Sequence, residues 1–130
     1  MAKPLSELGR RERQIMDVII RRGRATAAEV LNDLPDPPSY SSVRGMLRLL
    51  EEKGFLRHAW DGPRHVYRPS DDPEQIRRSA MRHLLRTFFS NSMESAVTAM
   101  LGAGDTPPSE AELKRLSKLI AHARKGRTRR

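Results

Sequence analysis

Three side chains in the first half of the chain have the types and spacing for binding DNA. If residues 39–53 form a helix, then Ser41, Arg44 and Arg48 share one side of it, where Gly45 leaves room for close approach. An arginine guanidinium donates paired hydrogen bonds to guanine in the major groove, and it also pairs with phosphates. The pattern favours a helix that reads base pairs.

No comparable pattern predicts catalysis or metal binding. The chain has no cysteine, and none of its four histidines has the His-x-x-x-His spacing of a metal site. His58 and His65 could approach each other across a hairpin, but two ligands make a weak site. Asp71-Asp72 precede Pro73 and are better explained as a helix start. With no glycine-rich phosphate loop or serine nucleophile elbow, we expect no enzyme, no metal and no cofactor.

The composition limits the class of partner. The 130 residues include 25 Lys plus Arg against 16 Asp plus Glu, which gives a net charge of +9. Hydrophobic residues make up 37%, which is enough for a small core. We expect a cytoplasmic protein without membrane insertion or a secretory signal, since no apolar stretch is long enough for either. The basic excess points to a polyanion, usually nucleic acid.

Three helices and a hairpin are predicted in residues 1–70. Thr26-x-x-Glu29 is a capping box for the second helix, and Gly54 follows the third. Alternating residues and an Asp-Gly-Pro-Arg turn then indicate two strands. This order is that of a winged helix-turn-helix, and the predicted fold class is mainly α with a small β-wing. The predicted helices are residues 6–22, 26–34 and 39–53, and the strands are residues 56–60 and 65–68.

Residues 71–123 are predicted to form three helices that associate with a second copy. Residues 71–120 carry seven basic and seven acidic side chains, so the positive charge lies at the two ends of the chain. So few residues bury too little surface to be stable alone. Residues 124–130 form a basic tail that either adds phosphate contacts or only keeps the chain soluble. The expected dimer interface comprises Ile76, Leu84, Leu85, Phe88, Phe89, Val97, Met100, Leu101, Leu113, Leu116 and Ile120.

Further DNA contacts are expected beside the third helix. Ser39 and Tyr40 put hydroxyl and backbone N–H groups where a phosphate would lie. Arg64, at the tip of the hairpin, is a candidate for a DNA-backbone or minor-groove contact. We interpret Trp60 and Tyr67 as packing residues rather than as a base-stacking platform.

The stretches from Ser39 to Leu56 and from Gly62 to Pro69 resemble the penicillinase-repressor family. Residues 5–16, 88–101 and 109–113 are similar to its first helix, the start of its dimerisation domain and its last helix. The resemblance covers most of residues 5–123. It implies a homodimeric repressor that binds a pseudo-palindromic DNA operator.

The resemblance also implies roles for individual residues. Ser39 and Ser42 would contact phosphates, and Arg44 would read bases. Antibiotic-responsive members are released when a membrane sensor protease cuts an Asn-Phe bond, and that position corresponds here to Ala99-Met100. The residue types at this position differ from the Asn-Phe pair of those members. Copper-responsive members carry a cysteine cluster, and this chain has no cysteine.

Three alternatives stay open at this point. The chain could be a nonspecific nucleoid-type DNA binder driven by its basic tail. It could be a winged-helix adaptor that binds only proteins. It could also sense a small molecule in a pocket between its halves, for which Phe88 and Phe89 are candidate lining residues.

Overall fold

The structure is a computed structural model, and it describes residues 3–128. A short 3-10 turn at Leu5–Glu7 precedes six α-helices and one two-stranded sheet in this part of the chain. The predicted fold class is confirmed: the protein is mainly helical with a small antiparallel wing. The elements are α1 (Arg10–Arg22), α2 (Ala27–Asp33), α3 (Tyr40–Glu52), β1 (Leu56–Asp61), β2 (Arg64–Pro69), α4 (Pro73–Phe88), α5 (Met93–Ala103) and α6 (Glu110–Thr128).

The first helix begins later than its apolar spacing predicted. Ser6 lies in the 3-10 turn, and the backbone is extended at Leu8 and Gly9 before α1 starts at Arg10. The apolar spacing predicted an earlier start because Leu8 is buried, as a helical residue at that position would be. The side chain of Leu8 enters the core although its backbone is extended, so its burial does not indicate a helix.

Local signals set the ends of α2 and α3. Both halves of the predicted capping box form at Thr26 and Glu29, which fixes the start of α2. Ser39 caps α3, since its Oγ accepts the backbone N–H of Ser42 at 3.1 Å. Gly54 follows α3 with φ of +85°, a conformation that favours glycine.

The hairpin pairs β1 with β2 in antiparallel register. Leu56 lies opposite Pro69, and Trp60 lies opposite His65. Ala25, which precedes α2, bonds through its backbone to Tyr67 in both directions, at 2.9 and 2.8 Å. This bridge ties the wing to the helices.

One hydrophobic core holds α1, α2, α3 and the hairpin together. Its members come from all of these elements, and the helical ones recur at three- and four-residue spacing. The largest fully buried side chains are Ile15, Met16, Val18, Ile19, Val30, Val43, Leu47, Leu50 and Leu56.

The contacts between residues divide the chain into two units, the first ending at Leu84 and the second beginning at Leu85. Most of α4 therefore groups with the winged part. Within the described part of the second unit, Ala96 is the one buried side chain. Residues 124–128 of the predicted tail continue α6, whereas Arg129 and Arg130 lie outside the described residues.

Between residues 3 and 128, no helix combines the length and the apolar character needed to cross a membrane.

Candidate nucleic-acid interface

Helix α3 has one face in the core and one in solvent. Val43, Leu47 and Leu50 are fully buried and hold the helix against the rest of the winged unit. On the opposite side, Arg44 and Arg48 are exposed. The helix is thus fixed by its apolar side while it presents both guanidinium groups outward.

The start of α3 is rich in hydroxyl groups. Ser39 accepts the N–H of Ser42, and it also donates its own hydroxyl to Ser42 Oγ at 3.0 Å. Ser41 beside them is exposed. The first N–H groups of a helix have no intrahelical acceptor and carry partial positive charge. An anion such as a phosphate is favoured at this end.

The two arginines of α3 on this surface have no carboxylate partner among the described residues. Among residues 3–128, Arg44, Arg48 and Arg64 form no salt bridge, whereas Lys53 pairs with Glu12 at 2.9 Å. Arg64 lies close enough to Glu29 to help lower the pKa of that carboxyl, so its charge is partly offset. The charges of Arg44 and Arg48 remain available to an external anion.

A groove of about 270 Å³ lies between the start of α3, the start of α2 and the wing. Arg44 projects into it with its guanidinium carbon 5.9 Å from the centre of the Tyr40 ring, within cation–π distance. Arg64 stands on the wing side. The groove is lined by Thr26, Ala27, Ala28, Tyr40, Arg44, Trp60, Pro63, Arg64, His65 and Tyr67.

Trp60, interpreted from the sequence as a packing residue beside the core, is not covered by it. Its side chain is 65% exposed, while Tyr67 is buried as expected. The hairpin extends beyond the core, so Leu56 at its base is covered and Trp60 near its tip is not. Trp60 instead packs edge-on against His65, with ring centres 4.1 Å apart.

His65 lines the groove and His58 lies beside it on the wing, the two histidines that the sequence offers only as a weak metal pair. Their rings stack at 4.2 Å between centres, 17° from parallel. His58 also pairs with Glu51 near the end of α3. No group of three or more metal-ligating side chains lies within residues 3–128. The two stacked rings form part of the wing surface and are not joined by a third metal-ligating side chain among the described residues.

Tyr67 marks where the groove meets the core. Burial raises the pKa of its hydroxyl, and the nearby charge of Glu51 adds to the increase. The positive charges of Arg44 and Arg48 act in the opposite direction. The hydroxyl therefore stays protonated at neutral pH.

The predicted DNA-contacting residues fall into two sets. Tyr40, Arg44 and Arg64 meet in the groove. The others lie along α3 and its cap, outside the groove lining; they are Ser39, Ser41, Ser42 and Arg48. Trp60 and His65 also line the groove, whereas the sequence favours packing for Trp60 and offers His65 only as half of a weak metal pair. The hairpin register places the two residues opposite each other. Together these residues can bind a polyanion along α3 and the wing.

The residues predicted for the dimer interface are not buried within the chain. Phe88 is 69% exposed and Met100 57%. Ile76, Leu85 and Phe89 are half-buried, and the rest are exposed: Leu84, Val97, Leu101, Leu113, Leu116 and Ile120. Ala99 and Met100 lie on α5, both exposed.

Comparison with known proteins gives a family match over nearly the whole chain. The model of the family described as penicillinase repressor matches residues 8–122. A search of curated proteins finds no significant match.

Among solved structures, the chain is similar to TrmBL2, an archaeal chromatin protein whose structure shows a novel mode of DNA binding. The TM-score is 0.44 and the identity 22%. The match covers 78% of this chain and 40% of that chain. So distant a similarity supports no conclusion about function.

Proposed function

The chain belongs to the penicillinase repressor family, and we propose that it is a homodimeric repressor that binds a pseudo-palindromic DNA operator sequence-specifically. It acts as a binding protein rather than an enzyme, on DNA in the cytoplasm. The observation that carries the proposal is the solvent face of α3 together with the wing. Arg44 and Arg48 stand there without carboxylate partners on a helix fixed by its buried side, and Arg64 adds positive charge from the wing.

In this proposal, α3 is the recognition helix and lies in the major groove. Arg44 reads a base, because its guanidinium is exposed beside the small residue Gly45. Ser39 and Ser42 hold phosphates at the start of the helix. Tyr40, Ser41 and Arg48 add contacts along it.

The wing contributes contacts to the flanking DNA. Arg64 stands at the start of β2 and faces the same groove as Arg44. A sugar-phosphate strand passing between α3 and the wing would meet positive charge from both sides. These contacts position the protein on the duplex, whereas α3 supplies most of the sequence discrimination.

The dimer is supported by the apolar surface of α4, α5 and α6. A unit in which Ala96 is the one buried side chain among the described residues gains little stability from its own packing. Exposed Phe88, Met100 and Ile120 would be covered by the same surfaces of a second copy. Two recognition helices joined in this way would reach half-sites one helical turn, or a multiple of it, apart.

We propose that release from DNA acts through the second unit. The position corresponding to the family's cleavage site, Ala99-Met100, lies within the exposed helix α5. A protease can cut there only after the helix opens locally, because a cleavable bond must leave the helical backbone. A membrane sensor protease is a candidate partner. Any event that opens α5 would weaken the dimer and hence the operator complex.

Fluorescence anisotropy tests the proposed function. The full chain is titrated with labelled duplex from its own upstream region and with scrambled duplex, across a salt series. A preference of roughly a thousandfold or more that survives physiological salt is expected. Equal affinities that collapse as salt rises would instead identify a nonspecific binder.

Two variants separate the alternatives. Removing residues 124–130 should leave the discrimination between duplexes intact, whereas a binder driven by the basic tail would lose nearly all affinity. The double variant Arg44→Ala with Arg48→Ala should abolish operator binding. An adaptor that binds only proteins would be unaffected by it.

A further inference from the structure

A second cavity lies on the winged unit, away from the DNA-facing groove. It has a volume of about 230 Å³, is half open to solvent and is bounded by the segment before α1, by α1 and by α4. Its lining does not include Phe88 or Phe89, the residues suggested by the sequence for a small-molecule site. All of its lining residues belong to the first unit. They are Lys3, Pro4, Leu5, Ser6, Arg13, Ile76, Ser79, Ala80, His83 and Leu84.

The cavity combines apolar walls with basic side chains. Leu5, Ile76 and Leu84 supply apolar surface, so we assign Ile76 and Leu84 to this cavity rather than to the dimer interface expected from the sequence. Arg13 supplies guanidinium nitrogens and His83 supplies ring nitrogens. No aspartate or glutamate is among the lining residues. Within residues 3–128, neither Arg13 nor His83 has an ion-pair partner. The lining therefore favours a ligand that has both a negative charge and apolar surface.

The third basic residue, Lys3, connects the cavity to the end of α3. Its ammonium donates to the backbone oxygen of Lys53 at 2.6 Å, and its backbone N–H donates to Asp71 at 3.0 Å. The ammonium also lies 5.7 Å from the ring centre of Phe55. A bound anion would compete with the Lys53 carbonyl for Lys3.

We propose that this cavity binds a small carboxylate with an apolar body, such as one aromatic ring or a short alkyl chain. An engineered cavity of roughly 150 Å³ accommodates benzene, so about 230 Å³ suits one ring or a chain of similar size plus its carboxylate. Arg13 is suited to a carboxylate because its planar guanidinium can donate two parallel hydrogen bonds. Inorganic phosphate would leave the apolar walls unused, and a neutral hydrocarbon would leave Arg13 without a partner.

Binding at this cavity does not depend on the proposed function. A regulatory consequence would depend on it: a ligand that draws Lys3 away from Lys53 would loosen the end of the recognition helix. Operator affinity would then decrease in the presence of the carboxylate. Binding is therefore measured first without DNA, so that its failure and the failure of the proposed repressor role are distinguishable.

An NMR titration of the ¹⁵N-labelled full chain tests the proposal, with octanoate as the probe and octanamide as its neutral counterpart. Saturable amide shifts are expected at residues 3–6 and 76–84, with octanamide binding about tenfold more weakly. Equal binding of the two probes would overturn the role of charge. The absence of saturable shifts with millimolar octanoate would overturn the site. Shifts confined to residues 93–120 would assign the probe to the apolar surface of the second unit, and the proposal would fail.

Variants confirm the location. Ala80→Trp should fill the cavity and abolish octanoate binding, and it should fold because Ala80 is exposed. Arg13→Gln should weaken octanoate about tenfold while leaving octanamide unchanged. Arg82→Gln is the matched control, since it also removes one positive charge, but at a residue of α4 that does not line the cavity. Unchanged octanoate binding in both cavity variants would refute the site.

Discussion

Replacing Arg44 with alanine is the perturbation that isolates base reading. Arg44 is exposed, forms no salt bridge within the described residues and contacts the Tyr40 ring at 5.9 Å. Its removal therefore leaves the core intact, and the thermal unfolding of the Arg44→Ala variant should match that of the parent chain. Any change in DNA affinity then reports a lost contact with DNA.

The expected loss follows from one contact in each half-site. A bidentate arginine–guanine contact contributes about 1–3 kcal/mol of discrimination. A dimer makes the contact twice, so Arg44→Ala should weaken operator binding by about 2–6 kcal/mol. This corresponds to a loss of affinity between roughly thirtyfold and more than ten-thousandfold. Binding to scrambled duplex should change far less, because Arg44 has no matched base there.

Anisotropy titrations of both duplexes across a salt series measure this effect. Arg86→Ala is the matched control, because Arg86 is an exposed arginine on α4 whose removal changes the net charge equally. The control should weaken both duplexes slightly and to the same extent. The reasoning is refuted if Arg44→Ala weakens both duplexes equally and makes the salt dependence shallower, since Arg44 would then contact phosphates.

Three further predictions concern stability, association and the wing. The backbone N–H of Thr26 donates to Glu29 at 2.9 Å and holds the pKa of Glu29 below its ordinary 4.5. The ionised Glu29 carboxylate should therefore increase the free energy of unfolding above about pH 4.5. This stabilisation should be lost as the pH falls through the lower pKa that Glu29 has in the folded state. Urea unfolding of Glu29→Gln should show a shallower acid decline, and an equal decline would contradict the assignment. In analytical ultracentrifugation, Phe88→Glu should sediment as a monomer rather than a dimer. Thr87→Glu, which adds the same charge at the neighbouring residue, should remain a dimer. A dimeric Phe88→Glu variant would exclude Phe88 from the interface. Trp60 is the one tryptophan of the chain and is 65% exposed, so operator binding should change its fluorescence emission, and unchanged emission would place the DNA away from the wing.

Short-range signals allowed much of the winged unit to be predicted. The capping box at Thr26 and Glu29, the Ser39 cap and Gly54 each fix a helix end through neighbours a few residues away. Each could be read directly because the atoms that satisfy one another are close in the chain. The arginines of α3 were also placed correctly on its exposed side, since helical spacing alone decides which side faces the core.

The predictions that were wrong concern the limits of the hydrophobic core. Alternation put Leu56 and Trp60 on one face of β1, but it could not show that the core ends between them. The start of α1 failed for a related reason, because Leu8 is buried from extended backbone. The cavity beside Lys3 and Arg13 was not predicted, since its walls come from segments about 70 residues apart in the chain. Such features depend on tertiary packing rather than on local patterns.

Selection of duplexes from a random pool by the 130-residue chain, followed by sequencing, is the decisive test of sequence-specific binding. It requires no knowledge of the natural operator and reports specificity and symmetry together. We expect enrichment of an inverted repeat whose half-sites lie one helical turn, or a multiple of it, apart. Arg44→Ala should erase the preference at one base position in each half-site. A pool that shows no enriched sequence after selection would contradict sequence-specific repression by this protein.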